Sequence, residues 1–191
     1  MQMMKKLILF LMIIGLQGFC FAQSDDEKCP APTKESFAGV CIAMFQRSEA
    51  RNPESGLGFS YQERLWQMSC AEPGKDTMEL AKVKVQKMWN KYRENFRCYN
   101  FPNSIATDSN ITKFSMDIGF TSFIYEAVKK YKLDMNFIDP ADGKTVLDFV
   151  KEQEELIRKT PPVNTLKAGE YQKIYKMLVE NGAKHSWELN Q

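Results

Sequence analysis

Apolar side chains return every three or four residues through most of this chain, and that spacing commits it to helices. Phe37, Val40, Cys41, Met44 and Phe45 fall on one stripe of a helix expected over residues 34–50, which Asn52-Pro53-Glu54-Ser55-Gly56 then breaks. Ser60 opens a second helix, to about residue 71. Glu63, three positions on, completes a capping box, and Tyr61, Leu65, Trp66 and Met68 supply the apolar contact. Beyond the Pro73-Gly74 turn, Asp76 caps the longest helix, with Glu79 in its first turn and an inner face of Leu80, Val85, Met88, Trp89, Tyr92 and Phe96. The opposite face carries Lys82, Lys84, Lys87, Lys91 and Arg93, and reads as a solvated surface. No stretch alternates with period two for long enough to build a sheet. The expected class is all-α.

The N-terminus sets the compartment. Lys5 and Lys6 precede an apolar run from Leu7 to Leu16, and Cys20-Phe21-Ala22 offers small residues before a cut. This is the three-part pattern of a secretory signal peptide, so residues 1–22 are expected to be removed and 23–191 to form a single helical domain. The run is short for a membrane span, and the acidic Ser24-Asp25-Asp26-Glu27 follows at once. Lipidation at Cys20 is the minor alternative, poorly served by bulky Phe19. Cleavage removes two lysines and leaves 24 basic against 24 acidic residues, so the +2 of the whole chain belongs to the leader. A neutral domain has no general electrostatic pull on nucleic acid or anionic lipid, and no stable membrane insertion is expected after cleavage. The localisation that follows is periplasmic or secreted, and the Lys-Lys-led signal has a bacterial look.

Four cysteines survive cleavage: Cys29, Cys41, Cys70 and Cys98. An even number in an exported chain reads as two disulfides with three possible connectivities, and no C-x-x-C supports a zinc or thioredoxin reading. If the first two helices form an antiparallel hairpin, Cys41 comes level with Cys70, which leaves Cys29 for Cys98. The disulfide-bearing part is then residues 34–98.

From Cys98 to Asn110 the chain is loop-like, and Asn110-Ile111-Thr112 is a glycosylation sequon that matters only in a eukaryotic secretory pathway. A short helix is expected over 111–118. Phe120, Phe123, Ile124, Ala127, Val128 and Tyr131 then make the most regular amphipathic helix of the chain, and a longer pair follows near 145–158 and 169–181, separated by Thr160-Pro161-Pro162. The segment 131–139, followed by Asp142-Gly143-Lys144-Thr145-Val146-Leu147-Asp148, resembles the ankyrin repeat, in which an extended finger leads into a D-G-x-T-P-L-H motif that opens the next helix. Asp142-Gly143 suits the turn, Thr145 the cap, Leu147 the core between repeats, and Gly182 a left-handed stop after Leu178-Val179-Glu180-Asn181. Val146 and Asp148 replace the usual Pro and His, Lys132 stands where Gly would end the helix, and about 17 residues are inserted around Pro161-Pro162. The resemblance covers about residues 103–184 and identifies an exported, bacterial-type ankyrin-like protein. It implies a helical bundle continuing into degenerate ankyrin-like helix pairs, with protein–protein binding through the fingers. The partner-binding residues it points to are Phe137, Ile138, Asp139 and Lys144, with the 99–110 loop beside them. Phe137 and Ile138 could equally pack the finger against its neighbour.

Reactive groups are sparse. His185 is the only histidine, placed after the last helix where chains commonly fray, and no nucleophile setting such as G-x-S-x-G accompanies it. No catalytic residue, metal ligand set or cofactor site is expected. Glu152, Glu154 and Glu155 read as a solvated helix face. The expected function is an exported protein-binding module, in its narrower form an inhibitor or immunity protein against a toxin or envelope hydrolase. The other readings are a cell-envelope hydrolase using two carboxylates, which can lie far apart in sequence, and an envelope protein of structural role.

Overall fold

The computed structural model describes residues 29–49, 61–99 and 108–189. The signal segment, Cys20, the 52–56 break, the Ser60 cap and most of the 99–110 loop lie outside them. The chain divides into Met1–Pro30 and Ala31–Gln191, and the fold below is that of the second unit. Its helices are α1 (Lys34–Glu49), α2 (Tyr61–Met68), α3 (Met78–Tyr92), α4 (Ile111–Asp117), α5 (Ser122–Tyr125), α6 (Val146–Lys159), α7 (Thr165–Glu180) and α8 (Ser186–Leu189). The molecule is mostly helical, as the periodicity requires.

The expected loop after α3 instead forms a small antiparallel ribbon: β1 (Arg97–Tyr99) pairs with β2 (Asp108–Asn110), with Cys98 opposite Ser109. The ribbon leads directly into α4, whose residues Ile111 to Met116 are all buried. A helix buried on every side sits at the centre of its domain. Trp89, Phe96, Phe123, Tyr131, Leu147 and Ile174, each almost wholly out of solvent, belong with it to one apolar core.

α3 begins one residue later than Asp76 suggested. Thr77 is its cap, accepting from the Leu80 amide at 3.2 Å, while Asp76 bonds the Glu72 amide and pairs with Lys84 at 2.8 Å. The inner stripe is therefore Ala81, Val85, Met88 and Trp89, and Leu80, expected inside, is 44% exposed.

Cys41 on the inner face of α1 is bonded to Cys98 on β1, with Cα atoms 5.6 Å apart. This overturns the expected Cys41–Cys70 bridge. α2 ends at Met68, and Cys70 lies beyond it in a left-handed turn (φ 53°), off the helix face that was to meet Cys41. Cys29 and Cys70 are disulfide-bonded too, so two bridges engage all four cysteines, which fits an oxidising compartment outside the cytosol.

The helix expected through residue 131 is α5 continued by a wider π turn over Glu126–Lys130. It ends with the Tyr131 amide on the Glu126 carbonyl and the Leu133 amide on the Ala127 carbonyl. Lys132 takes the left-handed conformation (φ 53°) that glycine would normally supply. From there burial alternates residue by residue: Tyr131, Leu133, Met135, Phe137 and Asp139 point in, while Lys132 and Asp134 point out. The sequence carries this alternation as Tyr-Lys-Leu-Asp-Met-Asn-Phe, a stretch too short for a sheet. It builds no sheet because its backbone is met by side chains. Gln86 donates to the Tyr131 carbonyl at 2.7 Å and Trp89 to the Asp134 carbonyl at 2.7 Å.

α6 starts at a full capping box, with the Asp148 amide on Thr145 Oγ1 and the Thr145 amide on Asp148 Oδ2. α7 begins earlier than expected, at Thr165, because Asn164 caps it through the Lys167 amide at 2.9 Å. The two helices pack along each other, joined by residues 160–164.

Candidate functional site: a finger anchored at Asp139

The segment 131–145 joins the short helices to the long pair, and each of the four residues expected to meet a partner lies on it. The structure separates them. Phe137 is buried edge-on to Trp89, centroids 6.1 Å apart, with the Arg93 guanidinium 5.5 Å from its ring centre. Asp139 is 1% exposed. Both are interior residues of this chain. Ile138 is half-buried, and Lys144 pairs with Glu152 at 2.6 Å at the surface.

Asp139 is the anchor of the finger. Its Oδ1 accepts from Arg97 at 2.7 Å and from the Ala141 amide at 3.0 Å. Its Oδ2 accepts from Asn110 at 3.0 Å and from the Lys113 ammonium at 3.2 Å. Lys113 also pairs with Asp142. Arg97 comes from β1, Asn110 from β2 and Lys113 from α4, so one carboxylate ties the finger's turn to three elements. Two cations face two carboxylates, the buried Asp139 and the exposed Asp142, so the cluster is neutral. Burial alone would push the Asp139 carboxyl up, but Arg97, the Ala141 amide and Lys113 outweigh it and hold the group at about 2. The turn closes with a bridge between Asp139 and Lys144, and Gly143 takes φ 69° within it.

Asn110 has a second task. Its Oδ1 accepts from the Thr112 and Lys113 amides as the cap of α4, at 3.0 and 3.1 Å, and the residue is 1% exposed. The sequon therefore has no accessible amide in the folded chain.

A second buried cluster fixes the far end. Asp148 Oδ1 meets His185 Nδ1 at 2.6 Å, and His185 Nε2 meets the Tyr175 hydroxyl at 3.1 Å. Trp187 stacks flat on the imidazole, 3.9 Å away. His185 is 7% exposed and well held, not frayed. Burial opposes ionisation of Asp148, yet the Thr145 amide, His185 and Ser186 bring its carboxyl down to about 2. An acid–imidazole–phenol line of this kind could relay a proton in an open site, but here it closes the end of the domain.

Between the clusters, Asn136 joins two segments of chain. Its Nδ2 donates to the Gly182 carbonyl at 2.9 Å, and its Oδ1 accepts from the Lys184 amide at 2.8 Å. The side-chain amide thus copies a peptide group and locks the finger to the segment after α7. Sequence reasoning missed Asn110, Lys113, Asn136 and Arg97. The period-two pattern from Tyr131 was the signal that could have singled out Asp139 as a charge at an inward position.

A cleft of about 370 Å³ lies at the start of α1 and is lined by Lys34, Phe37, Glu94 and Arg97 among others. Among the described residues no group of three His, Cys, Asp or Glu is placed to hold a metal, and no helix is long and apolar enough to cross a membrane. No protein-family model, no curated protein and no solved structure matches this chain.

Proposed function

We propose that this chain is a periplasmic or secreted protein-binding module built on ankyrin-like helix pairs. Two pairs, α4 with α5 and α6 with α7, are each followed by a left-handed stop, Lys132 (φ 53°) and Gly182 (φ 84°), and then by a segment that Asn136 ties to its neighbour. The observation that carries the reading is the anchoring at Asp139. A turn held by two cations and an amide is presented in one conformation, and preorganisation of that kind lowers the cost of binding. What it presents is Lys132, Asp134, Ile138, the exposed turn 140–143 and Lys144. In its narrower form the module is an inhibitor or immunity protein that covers a toxin or an envelope hydrolase.

The test is capture from an envelope extract with the mature chain, comparing it with Lys132→Glu and Lys144→Glu. A stoichiometric partner whose recovery falls at least about tenfold with either variant supports the proposal. Equal recovery with both variants, or no partner across conditions, removes it. The hydrolase alternative asks for a second acid facing Glu94 in the cleft, where Lys34 and Arg97 stand instead. Digestion of cell-wall polymer by the purified chain would reinstate it.

A further inference from the structure

The end of the α6–α7 hairpin exposes aliphatic side chains beside cations. α4 runs seven residues and α6 fourteen, and the buried residues of α6 (Val146, Leu147, Asp148 and Val150) all lie in its first part. On α7 the first buried position is Ala168. Every residue from 158 to 167 is exposed, so the hairpin reaches past the body that covers its base.

Three aliphatic side chains stand in water there: Leu156 at 55% exposure, Val163 at 48% and Leu166 at 87%. Between Glu155 and Glu170 the charged residues are Arg158, Lys159 and Lys167, with no acid among them. Arg158 and Lys159 meet Glu154 and Glu155 one turn back, at 2.9 and 3.2 Å, and Lys167 lies over the Tyr171 ring. Exposed one-turn pairs are weak and yield to a denser anion. Residues 156–169 thus carry three cations and no acid of their own, with Glu154 and Glu155 one turn back, although the mature chain as a whole is neutral.

We propose that this tip docks on an anionic lipid surface, with Leu166, Val163 and Leu156 entering the boundary between headgroups and acyl chains, and Arg158, Lys159 and Lys167 meeting the headgroups. Charge complementarity selects the occupant. A wholly exposed tip with aliphatic side chains beside cations offers what an anionic interface takes up. Docking of this kind needs no spanning helix, and its address is separate from the finger.

Vesicle flotation of the mature chain tests it, with vesicles of phosphatidylcholine alone and of phosphatidylcholine with about a third phosphatidylglycerol. Binding to the anionic vesicles at least about tenfold above the neutral ones is expected, with a fall of about tenfold in Leu166→Asp and in Lys159→Glu. Leu166 is so exposed that its variant folds, which circular dichroism checks. No binding to the anionic vesicles overturns the proposal. Binding that Leu166→Asp leaves unchanged but Lys91→Glu on α3 abolishes also overturns it. Self-association of the chain without lipid, lost in Leu166→Asp, reassigns the tip to a second copy and likewise ends the lipid account.

Discussion

The Lys113 ammonium stands 3.2 Å from the Asp139 carboxylate, and the two side chains are 4% and 2% exposed. Breaking such a pair from one side leaves an uncompensated charge where water does not reach. Asp139→Ala is therefore expected to cost about 3 kcal/mol or more in urea unfolding, whereas Lys144→Ala, at an exposed pair, costs less than about 1 kcal/mol. Equal effects at the two sites would show that the cluster does not hold the turn.

Acid should act through two carboxylates. Asp139 and Asp148 both titrate at about 2 in the folded chain against an ordinary value of 3.8. A depressed folded value stabilises above the unfolded one, so this contribution is complete above about pH 5 and is lost as the pH falls toward 2. Each group supplies about 2 kcal/mol. Thermal melts from pH 6 to pH 2 should show a falling Tm, with a shallower fall in Asp148→Asn. A flat profile would sink this.

The sequon at Asn110 is expected to stay bare. In chain secreted and natively folded by a eukaryotic host, intact-mass measurement should find no glycan, because the amide caps α4 and reaches Asp139. Asn110→Ala should lower stability by about 1–2 kcal/mol through loss of the cap. A glycan on folded, monomeric material would refute the burial of this residue.

Non-reducing peptide mapping should recover a Cys41–Cys98 peptide. The bridge closes 57 residues of sequence separation, which in the chain-entropy account corresponds to about 4 kcal/mol. The paired substitution of both cysteines by alanine should lower urea stability by an amount of that order. A Cys41–Cys70 peptide from native material would contradict the fold at β1.

Much of this architecture was legible where a local signal decides local structure. Gly143 and Thr145 announce a turn and a cap, Gly182 a helix stop, and all three do those things. Lys132 shows the same logic without the glycine, since the stop is enforced by the packing of Tyr131 and Leu133 on either side. What sequence could not supply was pairing across distance. Lys113 sits in a short helix that reads as ordinary, and its burial makes sense only once Asp139, 26 residues on, is brought beside it. The disulfide pairing failed for a related reason. It rested on extending α2 through Cys70, and a helix about three residues shorter places that sulfur elsewhere.

α4 has no solvent face from Ile111 to Met116. Its amide hydrogens can trade with deuterium only when the surrounding shell parts, so no partial fraying should reach them. Their exchange rate is thus a built-in clock for opening of the whole unit. A ligand that rests on the finger only in the folded unit should slow that clock, by the factor with which it lowers the opened population.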